Sequence, residues 1–318
     1  MNGSVWNDYS TYRVQKTIRR PVTVTGIGLH SGQSTRLQIL PAETGHGIVF
    51  EKVSGRKKFE LGAHFKNVVS TSLATSLSIV GEPDSGVATV EHLMSAFYAL
   101  GITNARVIVE GSEVPILDGS ARPFVEAILD ATLELQAMTA PSIRVIKPIR
   151  IFQEGVVCEL LPRDNLRLTT SIDFDHPAIG AQTFALELTP QSFIDEVSSS
   201  RTFGFMKDVD ALRARNLAQG ASLDNVLAFD ETGIVNKEGA RFADECVRHK
   251  LLDALGDLAL AGARIQGELV SFRGGHSIHI KLLQEVAKMK GSWEWVEAEP
   301  VMPTWQPEAA EQAYLISR

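Results

Sequence analysis

Residues 247–257 read VRHKLLDALGD, and the leucines in this stretch recur at the spacing of an amphipathic helix. His249, Asp253 and Asp257 follow one another at intervals of four residues. Because four residues make slightly more than one helical turn, a helix places these three side chains on the same side. The stretch therefore predicts a long helix, over roughly 239–261, that carries one imidazole and two carboxylates beside its apolar face.

This polar row has two interpretations. A solvated helix face is the ordinary one for three isolated polar residues. A metal site is the alternative, because a histidine and an aspartate at positions i and i+4 of a rigid helix can bind the same ion. Catalytic zinc usually has three protein ligands and an open position for water, so a third ligand would come from elsewhere in the chain.

Length and composition indicate a globular protein and argue against several functional classes. The chain has 318 residues, which suggests about two domains. Hydrophobic residues make up 44% of it and charged residues 22%, as in ordinary globular proteins. The formal net charge of −7 argues against a nucleic-acid-binding protein, which needs a basic surface to neutralise phosphates.

The two cysteines and the hydropathy pattern indicate the compartment. Cys158 and Cys246 are far apart and form no CxxC pair, as expected in a reducing environment. The first residues contain no apolar signal segment, and no apolar run reaches the ~18 residues of a membrane span. We therefore expect a cytoplasmic protein without stable membrane insertion, with transient contact at a membrane surface left open.

A second V-x-H sequence occurs in the first half of the chain. TVEHLMSAFYALG at 89–101 predicts a helix with Thr89 as N-cap and Gly101 as C-terminal stop, followed by the strand ARVIVEG. VRH at 247–249 likewise begins a helix that ends near Gly262 and precedes a strand. The repetition predicts an α+β fold made of two domains of similar topology, each layering helices against a β-sheet.

The domain boundary is predicted in residues 138–148, which contain two prolines and no strong periodicity. Domain I then covers 1–140 and domain II covers 141–300, with a tail at 301–318. Residues 204–240 contain four glycines and lack a regular pattern, so we interpret them as an insert in domain II.

His92 is the candidate for the third metal ligand. The small residues Ser95, Ala96 and Ala99 on the same helical face would let another helix or a ligand approach closely. A position near the helix N-terminus disfavours a charged imidazole, and neutral imidazole is the form that binds metal. A hydrogen-bonded interface histidine is the alternative. Glu91 either complements the helix dipole or acts as a general base beside a metal.

Two further sequences carry candidate residues. GGHSIHIKLL at 274–283 predicts a turn and then a strand that begins at His276. On a strand His276 could face a cleft, or serve only in the turn, and His279 would lie on the opposite face with a structural role. SRTFGF at 200–205 predicts a strand end, where Thr202 could donate a hydrogen bond and the phenylalanines line an apolar wall or pack in the core.

Seven separated stretches together resemble the zinc-dependent UDP-3-O-acyl-N-acetylglucosamine deacetylases of lipid A biosynthesis. They occur in the family's order and cover nearly the whole chain. They are TGIGLHSG (25–32), TVEHLMSAFYALGITN (89–104), PILDGSARPF (115–124), DFDHPAIG (173–180), SRTFGFM (200–206), RHKLLDALGDL (248–258) and GGHSIHIKLL (274–283). The resemblance implies a fold of two α+β domains with the active site between them.

The resemblance also implies a role for each candidate residue. Glu91 matches the general base and His276 the general acid, with Asp257 supporting His276. Thr202 matches the residue that helps to stabilise the oxyanion. Two positions match residues that contact the substrate: Phe203 and Lys250. Three match the ligands of one catalytic zinc ion, for which iron could substitute in the cell: His92, His249 and Asp253.

The implied activity is that of a zinc-dependent amidase. It would remove the N-acetyl group of UDP-3-O-(3-hydroxyacyl)-N-acetylglucosamine, releasing acetate, in the cytoplasm of a Gram-negative cell, at times at the inner membrane surface. An acylated UDP-sugar is the expected partner and a monomer the expected state. The residues 204–240 would form a passage for the acyl chain. A zinc-stabilised module that only binds such a sugar, and an amidase for another N-acetyl sugar, are the alternatives.

Overall fold

The structure, a computed structural model, describes residues 13–296. Ten of its strands precede residue 140: β1 (Val14–Ile18), β2 (Val22–Ile27), β3 (Ser34–Pro41), β4 (Ile48–Ser54), β5 (Lys57–Gly62), β6 (Val68–Ser70), β7 (Ser76–Ile79), β8 (Glu82–Val87), β9 (Ala105–Glu110) and β10 (Leu133–Thr139). Nine follow: β11 (Ser142–Val145), β12 (Ile149–Gln153), β13 (Val156–Leu161), β14 (Leu166–Phe174), β15 (Gly180–Glu187), β16 (Phe203–Phe205), β17 (Leu227–Phe229), β18 (Arg264–Phe272) and β19 (Trp293–Val296). The α-helices are α1 (Glu91–Leu100), α2 (Arg122–Asp130), α3 (Pro190–Glu196), α4 (Val209–Ala214), α5 (Glu245–Leu258) and α6 (His276–Lys288).

The two halves of the chain repeat one sheet topology. In the first half the strand order is β2-β3-β9-β4-β5, and β9 pairs antiparallel with β3 and parallel with β4. In the second half the order β12-β13-β18-β14-β15 reproduces this pattern, with β18 antiparallel to β13 and parallel to β14. In each half the central strand follows a long buried helix, α1 or α5. The expectation of two α+β domains of similar topology is confirmed.

The strand pairing also supports the predicted division at residue 140. Among residues 13–296, every pair of hydrogen-bonded strands lies either wholly before residue 140 or wholly after it in the sequence. Pro141 lies between β10 and β11. The exact domain bounds stay a prediction, and the tail at 301–318 lies outside the described residues. The insert at 204–240 is more regular than expected, because β16 and β17 pair in parallel and α4 lies between them. No helix in the described part of the chain is long and apolar enough to cross a membrane.

The predicted N-cap of α1 is wrong, whereas its predicted end is confirmed. Thr89 has φ +57 and so lacks the extended conformation of an N-cap residue. Its hydroxyl donates instead to the Glu113 carboxylate at 2.8 Å, and Val90 precedes the first helical residue. Gly101 ends α1 in the left-handed region at φ 80, and Gly262 plays the same part after α5 at φ 71.

The predicted strand over 276–283 is wrong, because these residues form the first part of α6. The alternation of polar and apolar residues in S-I-H-I is typical of a strand. However, Ile278, Leu282 and Val286 recur every four residues and are buried, which is the pattern of a helix. As a consequence His276 and His279, three residues apart, lie on the same face rather than on opposite faces.

The crossing of α1 and α5 depends on Gly256. A Cβ atom at this position would lie 2.1 Å from the backbone oxygen of Glu91 and 2.8 Å from its Cα. Backbone atoms cannot move aside as the end of a flexible side chain can, so only glycine allows the two helices to approach this closely. The approach brings the first turn of α1 against the last turn of α5.

We therefore expect Gly256→Ala to separate the two helices. The substitution should lower the free energy of unfolding by about 1–3 kcal/mol, the usual cost of overpacking, although alanine favours helix intrinsically. Chemical denaturation measures this change. Gly291→Ala is the matched control, because no atom lies within 4 Å of a Cβ there. Equal stability of the two variants would contradict the proposed role of Gly256.

Candidate metal centre and active site

A cleft of about 470 Å³ is lined by nearly all the residues that the sequence predicts to be functional. Its walls come from α1 in the first half and from the start of β16, α5 and the start of α6 in the second half. The predicted residues that line it are Glu91, His92, Thr202, Phe203, His249, Lys250, Asp253 and His276. Asp257 is the exception, since it lies behind His276 and is fully buried.

Three side chains form a group that can hold a metal ion. One donor atom each from His92, His249 and Asp253 lies within 4.8 Å of the others. Asp253 Oδ1 is 3.2 Å from His249 Nε2 and 3.8 Å from His92 Nε2. Two donors that each lie about 2 Å from a tetrahedral ion are separated by about 3.3 Å, so this spacing fits a shared ion. The interpretation of the polar row as a solvated face is wrong, because all of it is buried.

Each of the two imidazoles has one nitrogen that can bind an ion. His249 Nδ1 lies 3.0 Å from the backbone oxygen of Ser200 and can only donate to it, which leaves Nε2, 3.2 Å from Asp253 Oδ1, as the nitrogen that can bind an ion. Burial and the neighbouring His249 lower the pKa of His92 to about 3. Its Nδ1 is also buried without a hydrogen-bond partner in the described residues. A neutral imidazole with unused bonding capacity is the form that an ion requires.

Lys250 and the two histidines use different oxygens of Asp253. Lys250 Nζ donates to Oδ2 at 2.7 Å, and Oδ1 faces the imidazoles. Burial alone would raise the pKa of Asp253, but His249 and Lys250 hold it well below its usual range. The Lys250 ammonium also lies 5.6 Å from the ring centre of Phe203, at the edge of the same cleft.

Glu91 and His276 face each other from opposite halves of the chain. Glu91 Oε1 lies 3.8 Å from His276 Nε2, and Glu91 Oε2 accepts a hydrogen bond from the backbone N–H of Thr75 at 3.0 Å. Burial raises the pKa of Glu91 to about 7. Burial would lower the pKa of His276, but the charges of Asp257 and Glu91 outweigh it and raise the value to about 10. The pair thus presents a carboxylate that titrates near neutrality and a protonated imidazole.

Asp257 binds three donors behind this pair. Its Oδ2 lies 2.9 Å from Nδ1 of His276 and 2.9 Å from Nδ1 of His279, and its Oδ1 accepts from the Thr75 hydroxyl at 2.6 Å. Sequence reasoning missed Thr75 and assigned His279 to the wrong face. A helical period through residues 276–286 was the signal for His279, whereas no local pattern marks Thr75.

A buried ion pair fixes the position of residues 200–202, which lie beside the cleft. Glu245 Oε1 accepts from both the backbone N–H and Nε of Arg201, each at 2.9 Å. Arg201 is 2% exposed and lies between Ser200, which orients His249, and Thr202, which lines the cleft. The ion pair therefore joins this segment to the first turn of α5. The sequence contained no signal for it.

Comparison with known proteins gives one consistent result. The sequence model of the UDP-3-O-acyl N-acetylglycosamine deacetylase family matches residues 15–288. A UDP-3-O-acyl-N-acetylglucosamine deacetylase of Colwellia psychrerythraea is 42% identical over 90% of this chain and 93% of its own. Proteins of the same name from Geobacter sp. and Idiomarina loihiensis are 40% and 39% identical, over 90% and 92% of this chain and 93% and 97% of theirs.

We expect Glu245→Gln to destabilise the protein strongly, because it leaves the buried Arg201 without its charged partner. Removing one member of a buried pair usually costs about 3–5 kcal/mol, which denaturant titration measures. Glu238→Gln is the control: Glu238 binds the same guanidinium at 3.0 Å, but its side chain is 60% exposed. Its loss should cost about 0–1 kcal/mol. If the two variants lost similar amounts of free energy of unfolding, burial would not be what makes the pair of Arg201 with Glu245 stronger than its pair with Glu238.

Proposed function

The chain belongs to the family of UDP-3-O-acyl-N-acetylglucosamine deacetylases and performs this deacetylation step of lipid A biosynthesis, and we propose that it does so as a zinc-dependent enzyme. The observation that carries the proposal is the group of His92, His249 and Asp253, buried in the cleft beside Glu91 and His276. The reaction hydrolyses the acetamide of the sugar and gives acetate and a free amine.

The zinc ion is proposed to be held by His92, His249 and Asp253. Two neutral imidazoles and one carboxylate are a donor set of catalytic zinc, although the same set also accepts iron in the cell. When bound, the ion lowers the pKa of a coordinated water and polarises the acetamide carbonyl. The hydrogen bond from His249 to Ser200 and the ion pair of Asp253 with Lys250 hold two of the ligands in place.

Glu91 is proposed as the general base. Its carboxylate faces the cleft next to His92, and Oε2 is held by the Thr75 N–H while Oε1 remains directed at His276. A carboxylate fixed at one oxygen has the other available for the proton of an attacking water. The close approach of Gly256 to the backbone of Glu91 fixes the position of this side chain further.

His276 is proposed as the general acid. An amine is a poor leaving group unless it is protonated, so hydrolysis of an amide needs a second proton-transfer residue beside the base. With Nδ1 bound to Asp257, His276 presents Nε2 to the cleft on the side of Glu91. This arrangement lets Glu91 accept one proton while His276 delivers another to the departing nitrogen.

Thr202, Phe203 and Lys250 are proposed to bind the substrate around the reacting group. Thr202 lines the cleft and its backbone N–H donates to the oxygen of Gly119 at 2.8 Å, which fixes the residue and leaves the hydroxyl for the developing oxyanion. Phe203 presents an aromatic ring and Lys250 a cation at the cleft wall. These are the groups that an acylated sugar nucleotide would contact.

The insert at 204–240 is proposed to receive the acyl chain. Its strands β16 and β17 bring Phe203, Phe205 and Phe229 together with Phe174, with ring centres 5.5–6.4 Å apart. Such an apolar surface suits a fatty acyl group and has no use in an amidase for a short polar N-acetyl sugar. We place the reaction in the cytoplasm, with a monomer as the expected state.

Acetate release from UDP-3-O-(3-hydroxyacyl)-N-acetylglucosamine tests the function directly. The purified protein should release acetate, lose this activity in a chelator and regain it with zinc. Asp253→Ala should retain less metal after dialysis, because it removes one of three ligands, and metal analysis measures this. Asp244→Ala, outside the ligand group, is the control. Full metal retention by Asp253→Ala would contradict the ligand set, and failure of the wild type to release acetate would contradict the function.

Glu91→Gln should keep the bound metal and lower kcat by about 10²–10⁴-fold, because an amide cannot accept the proton. Turnover and metal content are measured on the same sample. Glu110→Gln, a substitution of a half-exposed carboxylate on β9, should leave both unchanged. A binding module without catalysis would show no turnover in any variant. Near-normal turnover of Glu91→Gln would remove Glu91 from the role of base.

A further inference from the structure

We propose that His279 is a positioning residue for the deacetylation: it fixes the Asp257 carboxylate in the orientation that holds His276 toward the cleft. The inference rests on the proposed function, since it concerns the residue assigned as general acid. His279 does not line the cleft and is 1% exposed, so it can act only through Asp257. The helix α6 places it one turn behind His276, on the same face.

Both histidines bind the same oxygen atom of Asp257. The distance from Oδ2 to Nδ1 is 2.9 Å for His276 and 2.9 Å for His279. The other oxygen is occupied by the Thr75 hydroxyl at 2.6 Å. The carboxylate is therefore held from three directions, by a loop of the first half and by two positions of α6.

The charge of Asp257 determines the tautomer of His279. Burial would raise the pKa of Asp257, but the charge of His276 and the hydrogen bonds of both histidines lower it to about 2. An ionised carboxylate only accepts, so Nδ1 of His279 must carry a proton. In the neutral ring Nε2 is then an acceptor, and the Ser271 hydroxyl lies 3.1 Å away as its donor.

Ser271 and Gly274 surround the His279 ring closely. Ser271 is 1% exposed on β18 and reaches His279 from the strand side, while Asp257 reaches it from α5. A Cβ atom on Gly274 would lie 2.1 Å from the Ser271 hydroxyl oxygen and 3.0 Å from His279 Nε2. The glycine before α6 therefore leaves the space in which the serine and the imidazole meet.

The contact has a consequence for catalysis. Without the bond from His279, Oδ2 of Asp257 keeps only His276, and the carboxylate can rotate about the remaining bond to Thr75. His276 Nε2 would then lose its fixed position 3.8 Å from Glu91 Oε1. Proton delivery to the leaving nitrogen depends on this position, whereas substrate binding does not.

Two amide substitutions separate this role from simple packing. The amide nitrogen of His279→Asn can occupy the place of Nδ1 and donate to Asp257, but it cannot reach Ser271. The amide of His279→Gln can occupy the place of Nε2 and bind Ser271, but it leaves Asp257 without a donor. Both variants are uncharged and polar, and a thermal melt of each should show one cooperative transition, as expected of a folded protein.

We expect His279→Gln to lower kcat about 10- to 100-fold with little change in KM, the usual cost of losing an outer-shell partner. His279→Asn should restore most of the wild-type kcat. Equal kcat values for the two variants, or a higher kcat for the glutamine variant, would overturn the proposal. Acetate release by the wild type in the same assay shows that the proposed function holds.

A second measurement is independent of turnover. In protein labelled with ¹⁵N-histidine, the Nδ1–H resonance of His276 should be retained in His279→Asn and shifted or broadened in His279→Gln. Its assignment comes from its absence in His276→Gln. An unchanged resonance in His279→Gln would show that Asp257 keeps its orientation without His279, and would overturn the inference even if the proposed function itself failed.

Discussion

The contact between Gly256 of α5 and the backbone of Glu91 is the constraint on which the rest of the site depends. The two helices belong to different halves of the chain, and this contact brings them together without an intervening side chain. The crossing puts His92 next to His249, with ring centres 5.0 Å apart. A wider crossing would move His92 away from His249 and Asp253, so one absent methyl group sets the geometry of the proposed metal site.

The buried charges of the cleft are arranged around the same crossing. Glu91, Asp253 and Asp257 together carry up to three negative charges, and Lys250 and His276 supply two positive ones. Buried carboxylates are costly unless each is paired and hydrogen-bonded, and each of the three has a named donor. The excess negative charge lies beside the imidazoles of His92 and His249, and this environment favours a divalent cation.

The sequence predicted correctly the features that depend on local spacing or on an internal repeat. His249, Asp253 and Asp257 share one helix, so their common face follows from a spacing of four residues, and the V-x-H repetition indicated the duplicated fold. The face of His279 was predicted wrongly because a short apolar run fits a strand and a helix equally well. The contacts of Thr75 with Glu91 and Asp257, and the pair of Arg201 with Glu245, join residues distant in sequence and leave no periodic signal.

The duplicated topology explains where the site can vary. Both halves place a long helix before the central strand of the sheet, and these two helices supply Glu91, His92, His249 and Asp253. Their positions are fixed by the cores of both halves, so the geometry of the proposed ligands cannot change unless one of the cores repacks. The insert at 204–240 lies between β15 and α5, as β6–β8 lie between β5 and α1, and Phe203, the residue before it, lines the cleft. We therefore expect differences in acyl-chain preference to arise from the insert, and the proposed chemistry to depend on the helices.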